Sequence, residues 1–428
     1  MKNKNIWLGF SKKKREDKID VLLKNNILDE KYSEILKENI TLPCEIAEQM
    51  AENTIGTFSL PFSVATNFLV DKKEFTVPMV IEEPSVVAAC SYAAKIISRS
   101  GGFSTTIINR KMIGQITLFN IKNIEMALDN IIKNKNKILK LANDSYPSII
   151  TRGGGAEDVT TKVFSENNNI FLVVYIIVDV REAMGANIIN NMLEGIKPLL
   201  EELSSGTSLI AILSNYATES LVNSKCEIDI KYLSNDKKEA INIAQKIHLA
   251  SQFSKIDIYR ATTHNKGIFN GIDSVVIATG NDWRAIEAGG HAFANKNGRY
   301  EGLTTWNFNP NTNKIEGELT LPMPIASVGG SIGLNPTVKA AFNILNNPNA
   351  KILSSIIVSV GLAQNFAALK ALVSTGIQKG HMKLHAKSIA LFAGSNPDEV
   401  DLVVENLINS KYINLETAKN ILKKIRNK

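Results

Sequence analysis

The most constraining stretch of the chain is Phe171 to Asn187. An uninterrupted run, Phe171-Leu172-Val173-Val174-Tyr175-Ile176-Ile177-Val178, leads into Asp179-Val180-Arg181-Glu182-Ala183-Met184-Gly185-Ala186-Asn187, and Ile188, Ile189, Met192, Leu193, Ile196, Leu199 and Leu200 then recur at helical spacing. A continuous apolar run reads as a buried strand and the stripe as an amphipathic helix laid back on it. Small residues at the joint leave backbone N–H groups and the helix dipole open to an anion, the geometry that takes a pyrophosphate. Close packing alone asks for the same residues. No Gly-x-Gly-x-x-Gly occurs, which excludes a Rossmann fingerprint.

Around this joint strands and helices alternate: a strand over 113–119, a Lys- and Asn-rich helix over 123–142, strands near 159–164 and 170–178, and a strand from Ser208 to Leu213. A chain of 428 residues exceeds one compact core. The expected fold class is therefore α+β. A small non-Rossmann α+β domain, 111–218, is inserted in a large mixed helical and sheet domain, 1–110 with 219–375, and a C-terminal helical flap, 376–428, follows hinge glycines Gly376 and Gly380. In the large domain we expect two short helices within 17–39, a strand Thr76–Ile81, a helix Ser85–Ser98 with Pro84 at its first position and a helix Asn235–Phe253. An extended stretch Lys255–Thr263, a hairpin of Tyr300–Asn309 with Ile315–Pro322, and a helix from about Ala350 to Thr375 complete it.

A second stretch, 262–291, carries chemistry. Lys266 stands among Asn265, Gly267, Asn270 and Gly271, ahead of Val275-Val276-Ile277-Ala278 and Gly280-Asn281-Asp282, which reads as loop, strand, turn and small-residue helix. Folded back, that loop brings the Lys266 ammonium to the Asp282 carboxylate, where it can be oriented and its acidity tuned. Glu83, at or beside the N-cap of the helix Ser85–Ser98, is either a dipole complement or, buried beside a second acid, a proton donor. His381, beyond the hinge, is either structural or a donor delivered late.

Other function classes find little support. Cys44, Cys90 and Cys226 have no metal-type spacing, and His381 and His385 lack the glutamate and third ligand of a zinc helix, so no metal is expected. The net charge of +7 comes largely from Lys12-Lys13-Lys14-Arg15 and from Lys423 to Lys428, without interleaved aromatics, so no nucleic-acid partner is expected. No apolar run of about 18 residues marks a membrane span and no apolar signal region opens the chain. A cytoplasmic protein without a membrane partner is the expectation.

Together these motifs resemble 3-hydroxy-3-methylglutaryl-coenzyme A (HMG-CoA) reductase in its bacterial soluble, class II form. Glu52-Asn53-Thr54-Ile55-Gly56 is similar to the substrate-site Glu-Asn-Val-Ile-Gly motif, with Thr54 for valine. Val80 to Ala89, holding Glu83 and Ser85, is similar to the glutamate motif, and Glu182 to Asn187 to the cofactor motif, with glutamate where aspartate is usual. Thr263 to Gly267, Thr279 to Asp282 and Gly380-His381-Met382 are similar to the lysine, aspartate and flap-histidine motifs. The resemblance covers nearly the whole chain from about residue 8.

The resemblance implies a four-electron, two-hydride interconversion of HMG-CoA and mevalonate plus coenzyme A, through mevaldyl-CoA and mevaldehyde, in isoprenoid biosynthesis. It implies a homodimer with shared active sites and allows a higher assembly of dimers. Catalytic roles fall to Lys266 as the cation facing the developing oxyanion, His381 as proton donor to the leaving thiolate, Glu83 as proton donor to mevaldehyde, and Asp282 as the acid holding Lys266 and Glu83 in one network. Substrate contacts fall to Glu52, Ser85, Arg260, Asn270, Gln364 and Asn215. Cofactor contacts fall to Asp179, Glu182, Ala183, Met184, Gly185, Ala186 and Asn187. The cofactor is NADPH or NADH: Ser145 to Ser148 offers no acid for a ribose 2′-hydroxyl, whereas Arg152 attracts a 2′-phosphate, which favours NADPH. Two rival readings remain: a coenzyme A thioester lyase or hydrolase, which needs no nucleotide module, and a non-catalytic acyl-CoA-binding protein, indifferent to Lys266→Ala.

Overall fold

The structure, a computed structural model, describes residues 6–374 and 386–427. Its strands are β1 (Phe62–Val70), β2 (Lys73–Val80), β3 (Phe103–Ile107), β4 (Met112–Phe119), β5 (Gly155–Glu166), β6 (Asn169–Asp179), β7 (Thr207–Ser214), β8 (Leu221–Asp229), β9 (Thr304–Asn309) and β10 (Lys314–Pro322). They form two sheets, ordered β2-β1-β3-β8-β10-β9 and β5-β6-β4-β7. The chain leaves the first sheet after β3, completes the second, and returns at β8, which pairs antiparallel with both β3 and β10.

The four-stranded sheet is antiparallel throughout and has its own apolar core. Helix Ala186–Ser204 packs on it with Ile188, Ile189, Met192, Leu193, Ile196, Leu199 and Leu200 all buried, the stripe expected from the sequence. In the six-stranded part, helix Ala350–Val373 packs against helices Ile258–Ala278 and Val86–Arg99 and against β8 and β10. It is long and apolar enough to cross a membrane, yet 89% of its most apolar window is buried inside the molecule, so its composition is that of a core helix. Residues 386–392, Pro397–Ile408 and Leu415–Arg426 form a helical unit with a core of its own, including Ile389, Val403, Leu407 and Leu422.

Four expectations are corrected. Residues 262–278 are not loop and strand but most of one 21-residue helix, Ile258–Ala278, capped by the Asp257 carboxylate, which accepts the Arg260 N–H. Its buried residues, Ala261, His264, Ile268, Ile272 and Val275 among them, follow helical spacing, and tertiary burial overrides the strand preference of Val275 to Ile277. Lys255–Thr263 is likewise helical apart from Asp257, where Lys237–Ile256 ends. The helix expected over 123–142 breaks at Asn134 into Ile124–Lys133 and Lys135–Asp144. Pro84 precedes the cap rather than following it: the next helix starts at Val86, with Ser85 as its N-cap in the left-handed region at φ 78°.

Candidate active site

Lys266 and Asn270, one turn apart on helix Ile258–Ala278, face the segment that leaves β2. Lys266 Nζ donates to Glu83 Oε2 at 2.7 Å, and Asn270 Nδ2 to Glu83 Oε1 at 3.4 Å. The pair is open to solvent, with 60% of the Lys266 and 43% of the Glu83 side chain exposed. Just behind it Gly271 lets helix Ala350–Val373 approach so closely that a Cβ there would lie 2.9 Å from Gln364 Cβ. Gln364 is buried and its Oε1 has no partner, an orphaned acceptor on the side chain that packs against Gly271. Arg260 is half-buried with Nε unpartnered, and burial holds its guanidinium below the ordinary arginine range. Ser85 lies at the helix start two residues after Glu83.

Asp282 is elsewhere. It caps helix Trp283–Ala294 by accepting the Ala285 N–H at 3.1 Å, and its charged neighbour is Arg284 at 4.0 Å. Among the described residues it forms no ion pair with Lys266, and the expected contact within one chain is not found. The reason is the helix: the residues from Lys266 to the helix end at Ala278 add about 18 Å of rise before the turn to Asp282. The Asn215 carbonyl lies against the same helix at Gly289, about two turns beyond Asp282, where a Cβ would come within 2.7 Å. Glu52 lies in an exposed turn after helix Cys44–Met50, followed by an arm on which Ile55 and Phe58 are fully exposed. His381 lies outside the described residues.

The cofactor motif forms a third group. Gly185, at φ 99°, is the N-cap of the 19-residue helix Ala186–Ser204; no side chain caps it and no acid lies in its first turn. A Cβ on Gly185 would meet Val180 Cγ1 at 2.4 Å, so only glycine closes this turn. Asn187 is exposed in the first turn and Ala186 half-exposed, leaving free N–H groups for an anion, a fit to the pyrophosphate of a dinucleotide. Arg152 ends helix Pro147–Thr151, exposed, beside Gly153, which packs on the Arg181 guanidinium. Asp179 folds back on the same turn, accepting the Arg181 N–H at 2.9 Å. Ala183 packs on the core of the small sheet and Met184 on that of the large one, so the motif lies across both. Glu182 turns its carboxylate away from the helix N-terminus: Oε2 accepts from Ser327 Oγ at 2.6 Å and from the Ala350 N–H at 2.7 Å. Burial raises its pKa, but those hydrogen bonds and nearby Arg110 outweigh it and hold the carboxyl below the usual range. Arg110 belongs to no motif in the sequence, and its only signal there is its position between β3 and β4.

The family model for Hydroxymethylglutaryl-coenzyme A reductase matches residues 14–386. The chain belongs to this reductase family. Among curated relatives, the 3-hydroxy-3-methylglutaryl-coenzyme A reductase of Archaeoglobus fulgidus is 40% identical over 419 residues, covering 98% of this chain and 94% of that one. A reductase structure from Streptococcus pneumoniae superposes with a TM-score of 0.86 at 55% identity, covering 98% of this chain and 99% of the other. A second, described as the class II reductase bound to NADPH in open conformations, gives a TM-score of 0.84 at 54% identity over 97% of this chain and all of that one. The lyase or hydrolase alternative has no support from these relatives, all of them reductases.

Proposed function

We propose that this HMG-CoA reductase works in the cytoplasm as a homodimer, with NADPH, and with each active site assembled from two chains. The observation that carries this is the split between Lys266–Glu83, joined at 2.7 Å, and Asp282, held on another helix start. The exposed Ile55 and Phe58 arm beyond Glu52 supports a second chain as its neighbour. The large domain would comprise 1–110 and 219–375, the small one 111–218 and the flap 376–428.

NADPH, when bound, supplies a hydride in each of two reductions. Adding hydride to a thioester puts negative charge on its oxygen, and the Lys266 ammonium, steered by Glu83 and Asn270, is the cation able to face it. Collapse of the resulting hemithioacetal releases a thiolate, to which His381 gives a proton. Glu83 then protonates the oxygen of mevaldehyde as the second hydride arrives. Arg260, Ser85, Asn270 and the orphaned Gln364 Oε1 orient the substrate from one side, Glu52, Asn215 and Asp282 from the other. Arg152, exposed at the end of helix Pro147–Thr151, attracts a 2′-phosphate on this reading.

The reading is tested by following nicotinamide absorbance with purified protein, HMG-CoA and each cofactor in turn. Loss of NADPH absorbance coupled to thiol release supports it; no oxidation with either cofactor, in either direction, refutes it. A strong preference for NADH would remove the argument from Arg152. Sharing of sites is tested by mixing Lys266→Ala with Asp282→Ala, each expected to keep about a hundredth of wild-type turnover or less alone. Hybrid dimers with one intact site restore roughly a quarter of wild-type turnover; no recovery places both residues' sites within single chains.

A further inference from the structure

Glu182 is the one place where the cofactor motif departs from its usual residue, and the structure gives it a task. Its Oε2 reaches out of the small sheet's turn to the N-terminus of the core helix Ala350–Val373 and to the Ser327 hydroxyl, while its own carbonyl accepts the Ser327 N–H at 2.9 Å. The neighbouring residue of the same segment, Ala326, is held by both ends of the Asn281 amide: its N–H donates to Asn281 Oδ1 at 2.7 Å and its carbonyl accepts from Asn281 Nδ2 at 3.1 Å. Arg110 closes the joint from below, donating to the carbonyls of Arg181 (3.1 Å), Ala183 (3.3 Å) and Ile325 (2.6 Å). The turn before the cofactor helix is thereby fixed, through two residues of main chain, to the loop that ends in Asp282.

We propose that Glu182 is a positioning residue: its carboxylate registers the dinucleotide-binding turn against the Asn281-Asp282 loop through the 325–327 segment, and so sets where the hydride donor stands relative to Asp282. This rests on the reading of the chain as an NADPH-dependent reductase. A hydrogen-bonded joint of this kind acts on geometry rather than affinity, and a misplacement of about 1 Å at a reacting centre can lower a rate a hundredfold. Because one oxygen takes both bonds, a glutamine can keep them and an alanine cannot.

The experiment compares Glu182→Ala and Glu182→Gln with the wild type by kcat, the KM for each substrate, NADPH binding by fluorescence, and amide hydrogen exchange. E182A is expected to lower kcat by about ten- to a hundredfold while the NADPH dissociation constant and the HMG-CoA KM move less than about threefold. E182Q recovers most of the lost kcat. Exchange at the Ala350 and Ser327 amides rises in E182A and not in E182Q, with the rest of the molecule unchanged. The proposal is overturned if E182A keeps wild-type kcat, if its main effect is weakened NADPH binding, or if E182Q is as impaired as E182A. Should the wild type turn over no NADPH at all, the functional reading fails, and the exchange measurement still decides separately whether Glu182 holds the joint.

Discussion

Lys266 holds an exposed ammonium against one carboxylate, and a solvent-open pair contributes little to stability, about 1 kcal/mol or less. On the proposed mechanism its value is to chemistry. Lys266→Ala is therefore expected to cut turnover by about a hundred- to a thousandfold, the usual loss when one donor to an oxyanion is removed, with the melting temperature nearly unchanged. Steady-state kinetics and a thermal melt on the same preparation check this; turnover near wild type would end the oxyanion role. That Lys266 and Glu83 share one network was legible only through the family resemblance, each residue lying in a motif of its own. Asp282 lies in one too, but its placement depended on the conformation between 266 and 282, and a motif does not encode that. Glu182 shows the converse: its departure from aspartate was visible, while its partners Ser327 and Ala350, 145 and 168 residues away, were not.

At the level of elements, helix Ile258–Ala278 was the least legible and the strands of the small sheet the most. Gly267, Asn270 and Gly271 read as a loop because glycine and asparagine favour one in isolation. Here Gly271 serves a close helix crossing instead, with Gly361 of the partner helix packed on Ile272. The β4 to β7 strands were readable because continuous or alternating apolar runs bounded by polar turns leave few alternatives. Three elements meet at Asn365, whose Oδ1 accepts from Thr304 Oγ1 and Trp306 Nε1, both at 2.8 Å, and whose Nδ2 lies 3.1 Å from His264 Nε2. All four side chains are buried. Asn365→Ala strands the Trp306 N–H and opens a void, and should cost about 3 kcal/mol, read as a lower urea midpoint at unchanged slope. A midpoint like that of the wild type would show that the network is dispensable.

At the scale of the whole molecule, a buried acid makes stability depend on pH. Burial and the neighbouring Glu287 carboxylate push the Asp273 carboxyl up to about 8, and its Oδ1 has no other partner. The folded chain thus holds a proton between about pH 4 and pH 8 that the unfolded chain has released, so stability falls as pH rises through that window, by at most about 1.4 kcal/mol per unit, and levels off above it. Asp273→Asn should flatten this slope in urea unfolding from pH 5 to 9; an unaltered slope would assign it to other groups. The Ile55 and Phe58 arm has a different consequence. In the proposed dimer a second copy covers this oily finger, which until then stands open to proteases and chaperones. On that proposal abundance itself becomes a governor of the enzyme, because a scarce chain stays without the copy that completes its site.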